Sequence, residues 1–76
     1  MEYSVDATSK SGDNFTGQIL EAEDFEQLKT YVQETFAWMN GCHDTSDVDC
    51  SYIKFDYDYV EDEDGNDVTK EAREWL

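Results

Sequence analysis

Seventy-six residues limit the chain to one domain with a small core, because a chain of this size buries only about 60% of the surface it exposes when unfolded. Twenty acidic side chains against five basic ones give a net charge of −15, a field that repels nucleic acid and anionic membranes as direct partners and attracts cationic surfaces. Aromatic residues make up 14% of the chain, which argues for a folded domain and against an acidic tail.

The segment Met1-Glu2-Tyr3-Ser4 has neither the basic nor the apolar stretch of a secretory leader. No apolar run approaches the roughly 20 residues that a membrane span needs. The expected compartment is therefore the cytosol, with Cys42 and Cys50 as free thiols. The acidic imbalance runs through both halves: residues 1–40 carry −6 and residues 41–76 carry −9.

Residues 3–8 alternate, with Tyr3, Val5 and Ala7 on one face and Ser4, Asp6 and Thr8 on the other, which predicts a half-buried strand. Ser9-Lys10-Ser11-Gly12-Asp13-Asn14 has turn chemistry. A second strand is expected from Phe15 to Ala22, with Phe15, Gly17 and Ile19 facing one way, and the short turn makes the pair a hairpin.

Asp24 has the character of a helix N-cap, and Gln27 three residues later completes a capping-box spacing. Phe25, Leu28, Val32, Phe36 and Met39 then form one helical stripe, and Asn40-Gly41 marks its end. Burying such side chains contributes about 1.5–3 kcal/mol each before chain entropy is subtracted. Residues 41–49 read as a polar loop. Residues 51–60 alternate again, with Ile53, Phe55, Tyr57 and Tyr59 on one face and Tyr52, Lys54, Asp56 and Asp58 on the other. After the charged turn Glu61-Asp62-Glu63-Asp64-Gly65-Asn66, a short helix carries Val68, Ala72, Trp75 and Leu76, capped by Asp67 or Thr69. The order β-β-α-β-α predicts an α+β fold: a three-stranded antiparallel sheet in order 2-1-3, one main helix on one face and a short C-terminal helix.

The chemistry concentrates in one acidic segment. Asp44, Asp47, Asp49, Asp56, Asp58, Glu61, Asp62, Glu63, Asp64 and Asp67 stand against the single base Lys54. Side chains two apart on a strand are separated by about 6.6 Å, from a rise of about 3.3 Å per residue. That spacing is of the same order as neighbouring phosphates on a nucleic-acid strand, so a carboxylate row on a rigid sheet suits a site built for nucleic acid. The bland reading of the same acids is a solubilising surface, as in halophilic proteins.

Other chemistries fit poorly. With Gly65 at position 6 of a calcium-binding loop, Val60 falls at position 1 and cannot ligate. Starting the loop at Asp62 places Asp67 where glycine belongs and Arg73 where glutamate belongs. Cys42, His43, Asp44 and Cys50 lack the close cysteine pairs of a zinc site, and adjacent Cys42 and His43 make a poor nucleophile–base pair. No phosphate-binding glycine loop or hydrolase motif occurs, so no catalytic residue, metal or cofactor is expected. Tyr31 and Trp38, with Glu34 between them, share a helix flank off the main stripe and form a second candidate interface. The competing expectation is that Trp75 and Leu76 of the terminal helix cover that flank.

The length, the −15 charge and the strand Tyr52-Ile53-Lys54-Phe55-Asp56-Tyr57-Asp58-Tyr59 together resemble the small acidic proteins that phages deploy against bacterial defences, the DNA-mimic anti-restriction and anti-CRISPR proteins. The resemblance is one of type and carries over no residue roles. It implies a monomeric inhibitor that binds a basic protein surface, the nucleic-acid channel of a defence nuclease or CRISPR complex, in the host cytosol. The alternatives are a housekeeping or halophilic acidic domain, and a regulatory partner of a basic protein unrelated to nucleic acid.

Overall fold

The computed structural model of the chain describes residues 1–39 and 53–76, in the element order β-β-α-β-α. Strand β1 (Glu2–Ser9) buries Tyr3, Val5, Ala7 and Ser9 and leaves Ser4, Asp6 and Thr8 on the opposite face, the alternation its sequence carries. Strand β2 (Asn14–Glu21) returns antiparallel beside it. The connecting turn places Gly12 at φ +99°, a left-handed conformation that other residues rarely adopt. Ser9 closes this turn: its amide donates to the Asp13 carbonyl at 2.8 Å, and its buried hydroxyl accepts from the Asp13 amide at 3.2 Å. Strand β3 (Phe55–Asp62) pairs antiparallel with the other edge of β1, so the sheet has the order β2-β1-β3.

Helix α1 (Phe25–Met39) covers one face of this sheet. Its start is held reciprocally. The Asp24 carboxylate accepts from the Gln27 amide at 2.8 Å, and the Gln27 side-chain carbonyl accepts from the Glu23 amide at 2.7 Å. Leu28, Val32 and Phe36 are fully buried and Phe25 is half-buried, as the stripe predicts. The stripe overreaches by one residue: Met39, the last residue of the helix, is 44% exposed, and small Ala37 is buried instead. A chain of rings ties the helix to both edges of the sheet. Phe36 lies 5.0 Å from Phe15 on β2 and 5.8 Å from Phe55 on β3, and Phe55 meets Tyr57 edge-on at 5.1 Å.

Strict alternation fails in β2 and β3, and for the same reason. Between the pairs Val5↔Gln18 and Ala7↔Phe15, two residues of β2 oppose Asp6 alone. Gly17 adopts φ +65° there, and its amide donates to the Asp6 carboxylate at 2.7 Å. Between Asp6↔Tyr59 and Ala7↔Tyr57, Asp58 is the extra residue of β3. A bulge switches every later side chain to the other face. Phe15 and Leu20 therefore pack inward while Ile19 is 57% exposed, and Gly17 does not share the inner face. In β3, Phe55 and Tyr57 point inward as expected, but Val60 takes the next buried place and Tyr59 is 38% exposed. The strand is shifted from the expected residues 51–60: Ile53 and Lys54 precede it, it begins at Phe55 and it runs on to Asp62, while residues 51 and 52 lie outside the described part, as do Gly41 and the loop 41–49.

Helix α2 (Thr69–Arg73) and the residues before it close the open edge of β3. Val68 N–H donates to the Val60 carbonyl at 2.8 Å, the Val60 amide donates to the Thr69 hydroxyl at 2.8 Å, and Arg73 donates twice to the Tyr57 carbonyl at 2.7 and 3.0 Å. An edge satisfied in this way no longer invites another strand. Ala72 joins the core, whereas Trp75 and Leu76 are about half exposed.

Among the described residues, the buried Tyr57 hydroxyl has no hydrogen-bond partner, and burial pushes its pKa well up. A buried unsatisfied hydroxyl costs about 1–3 kcal/mol, and removing it leaves the ring packing in place. Tyr57→Phe is therefore expected to raise the unfolding free energy by about 1 kcal/mol. A denaturant titration checks this, and a clear loss of stability would show the hydroxyl to be bonded in solution.

Candidate interaction surface

With α1 on one face, no described helix or strand packs on the other face of the sheet. β1 contributes Ser4, Asp6 and Thr8 to it. Residues directly opposite across a ladder share a face, so Asp56 (opposite Thr8), Tyr59 (opposite Asp6) and Glu61 (opposite Ser4) lie there with them. Ile19, opposite Ser4 on β2, completes the surface. Two contacts stiffen it. The Thr8 hydroxyl donates to the Asp58 carboxylate at 2.7 Å, and the Asp6 carboxylate holds the Gly17 amide.

Tyr59 stands in the middle of these acids. Desolvation raises its phenol pKa first, and the charges of Glu61, Asp67 and Asp6 raise it further, so the local field is negative. Alternation alone had placed Tyr59 in the core. The signal that could have moved it is the run Asp58-Tyr59-Val60-Glu61, in which inward Val60 and outward Glu61 require a shift of phase.

The described acids of the expected segment divide by what their carboxylates do. Glu61, Glu63 and Asp64 project at and beyond the end of β3, and no side-chain hydrogen bond or ion pair ties them down among the described residues. Asp56 forms an ion pair with Arg73 at 3.4 Å; both groups are more than half exposed, so its worth to stability is small. Asp62 does not extend the outward row. One of its carboxylate oxygens accepts from the Asp64 and Asn66 amides, both at 2.9 Å, and the other accepts from the Asn66 side chain at 3.2 Å. Asp67 accepts from the Thr69 amide at 3.0 Å and the Thr69 hydroxyl at 2.6 Å. Asp62 holds the turn and Asp67 holds Thr69, the first residue of α2; the N-cap position itself is Val68, which has no side-chain cap, and not Asp67 or Thr69 as expected. Asp44, Asp47 and Asp49 lie outside the described residues, as do Cys42, His43 and Cys50.

The turn contacts have a pH signature. The Asn66 amide, more than any other donor, holds the Asp62 carboxyl below its usual value of 3.8, and the Thr69 hydroxyl does the same for Asp67. A carboxyl depressed in the folded state contributes stability that is fully present above its unfolded pKa and lost as pH falls through the folded one. The melting temperature of wild type should therefore exceed that of Asp62→Asn at neutral pH, and the gap should close as the solution is acidified below about pH 4. A gap that persists at low pH would mean that the charge of Asp62 does not hold the turn.

The second candidate interface is placed differently from the expected packing. α2 packs along β3, so Trp75 and Leu76 do not cover Tyr31 and Trp38. Those two side chains line a groove between α1 and β2 with Glu34, Phe15, Leu20 and Met39. Trp38 is 60% exposed and Tyr31 half-buried.

Among the described residues, no group of three or more His, Cys, Asp or Glu is disposed to hold a metal ion, and no helix is long and apolar enough to cross a membrane. The molecule is a small α+β protein with one helix-covered sheet face and one carboxylate-rich face. Neither a family model, nor a curated protein, nor a solved structure matches the chain.

Proposed function

We propose that the protein is an acidic binding protein that inhibits a nucleic-acid-binding protein, a bacterial defence nuclease or CRISPR complex, by laying its carboxylate-rich sheet face on that protein's basic channel. One observation carries this reading: Asp6, Asp56, Asp58 and Glu61 sit on hydrogen-bonded strands around the exposed ring of Tyr59. Carboxylates fixed on a sheet lose little freedom on binding; the bulge at Asp58 breaks the regular two-residue row, so the charge is a cluster around Tyr59 and not an evenly spaced line. Lysine and arginine side chains that receive phosphates would receive them equally well. Tyr59 adds what a purely solubilising surface has no use for, an aromatic anchor at the centre of the charge. A guanidinium from the partner would stack on the ring while the surrounding acids neutralise it.

The experiment is capture of proteins from a bacterial lysate on the immobilised chain at about 50 mM salt, followed by elution with duplex DNA or with salt raised to about 200 mM. The expected outcome is a nucleic-acid-binding protein released by either eluant. Tyr59→Ala should weaken that complex about tenfold or more while leaving the fold intact, the usual cost of truncating a central aromatic anchor. A retained protein indifferent to DNA would point to a regulatory partner of another kind. A chain that folds only near molar salt would point to a halophilic domain.

A further inference from the structure

Three of the five basic residues gather at one place. Lys10 in the β1–β2 turn, Lys29 on α1 and Lys54 just ahead of β3 line a single pocket of about 270 Å³, together with Gln33, Ile53, Phe55 and Leu76. The backbone fixes this meeting. The Lys10 amide donates to the Lys54 carbonyl at 2.9 Å, and the Gln33 side chain reaches from α1 to the Ile53 carbonyl at 3.3 Å. Among the described residues none of the three ammonium groups is in an ion pair; the guanidinium that is, Arg73, bonds Asp56. Three cationic side chains that line one pocket without a bonded carboxylate favour an anion placed among them. The wall behind them is apolar, with Phe55 buried and Ile53 half-buried.

We propose that this pocket binds an oxyanion, a phosphate or a carboxylate, carried on a small apolar body of about one ring. The volume is below that of pockets for drug-sized ligands, about 300–1,000 Å³, which limits the body to that size. Ordinary salt screens exposed charges beyond about 8 Å, so acids farther than that from the pocket weigh little against the three lysines. The pocket shares no residue with the carboxylate face, and its occupancy does not depend on the inhibitory reading.

The test is a titration of the isotopically labelled protein, followed by amide chemical shifts at constant ionic strength, with inorganic phosphate, phenyl phosphate and benzoate. Saturable shifts are expected at Lys10, Lys29, Gln33, Lys54 and Leu76. Phenyl phosphate should bind about tenfold more tightly than inorganic phosphate, because its ring meets the apolar wall. The relative strength of phenyl phosphate and benzoate names the preferred oxyanion. The triple variant Lys10→Gln/Lys29→Gln/Lys54→Gln should lose the response, and Lys54→Gln alone, at an exposed position, should weaken it should the triple variant not fold. Absence of saturable shifts with all three anions, equal affinity for the two phosphates, or an undiminished response in the variants would overturn the proposal.

Discussion

Val32→Asp is expected to leave the chain unfolded in dilute buffer. Val32 is fully buried at the middle of α1, one turn from Leu28 and one from Phe36, against a sheet whose inner face is Val5, Tyr57 and Val60. A carboxylate placed there has no cation to meet: among the described residues the core holds no basic side chain. An unpaired buried charge costs several kcal/mol. At about 0.05–0.15 kcal/mol per residue, a chain of this length has only about 4–11 kcal/mol to lose. The new charge also adds to a field that already opposes compaction. Far-ultraviolet circular dichroism and a thermal melt check the outcome. A cooperative transition near the wild-type midpoint would mean that α1 presents a different face to the sheet.

The helix and its burial were legible because helical periodicity is a property of the segment itself. Asp24 and Gln27 announce the cap, and Leu28, Val32 and Phe36 recur at the spacing of one face. The hairpin was legible because a tight turn forces it, but it leaves two edges, one on β1 and one on β2; the pairing of β3 with β1 is settled by contacts between distant segments. The faces of β2 and β3 were less so. Their phase depends on Gly17 and Asp58 standing unopposed beside Asp6, which is a matter of register between strands and not of either strand alone. The cost of that gap fell on the site. Tyr59 was taken for core, and Asp62 for part of an outward row, although its carboxylate is turned back on the amides of its own turn. The gathering of Lys10, Lys29 and Lys54 was invisible for the same reason, since three separate elements bring them together.

The largest functional effect is expected from reversing the charges on which the fold depends least. Asp62 and Asp67 are spared because they hold the turn, and Asp56 because it pairs with Arg73. In the variant Asp58→Lys/Glu61→Lys/Glu63→Lys/Asp64→Lys, each reversal adds two charges, so four of them take the net charge from −15 to −7. Self-repulsion falls, and the sole described side-chain bond lost is that from Thr8 to Asp58, so the fold should persist and its melting temperature should hold or rise. Binding to a basic channel should instead collapse, because both the attraction and the ion release that accompanies it are reversed in sign at four points.

The most direct test of the inhibitory reading is the affinity of wild type and this variant for the captured partner, measured with and without that partner's nucleic acid between about 50 and about 200 mM salt. Direct competition predicts wild-type binding that weakens steeply with salt, is displaced by the nucleic acid, and is lost in the folded variant. Equal affinity of the two proteins would contradict it, and would leave the carboxylate face as a solvated surface and the groove beside Tyr31 and Trp38 as the place to look.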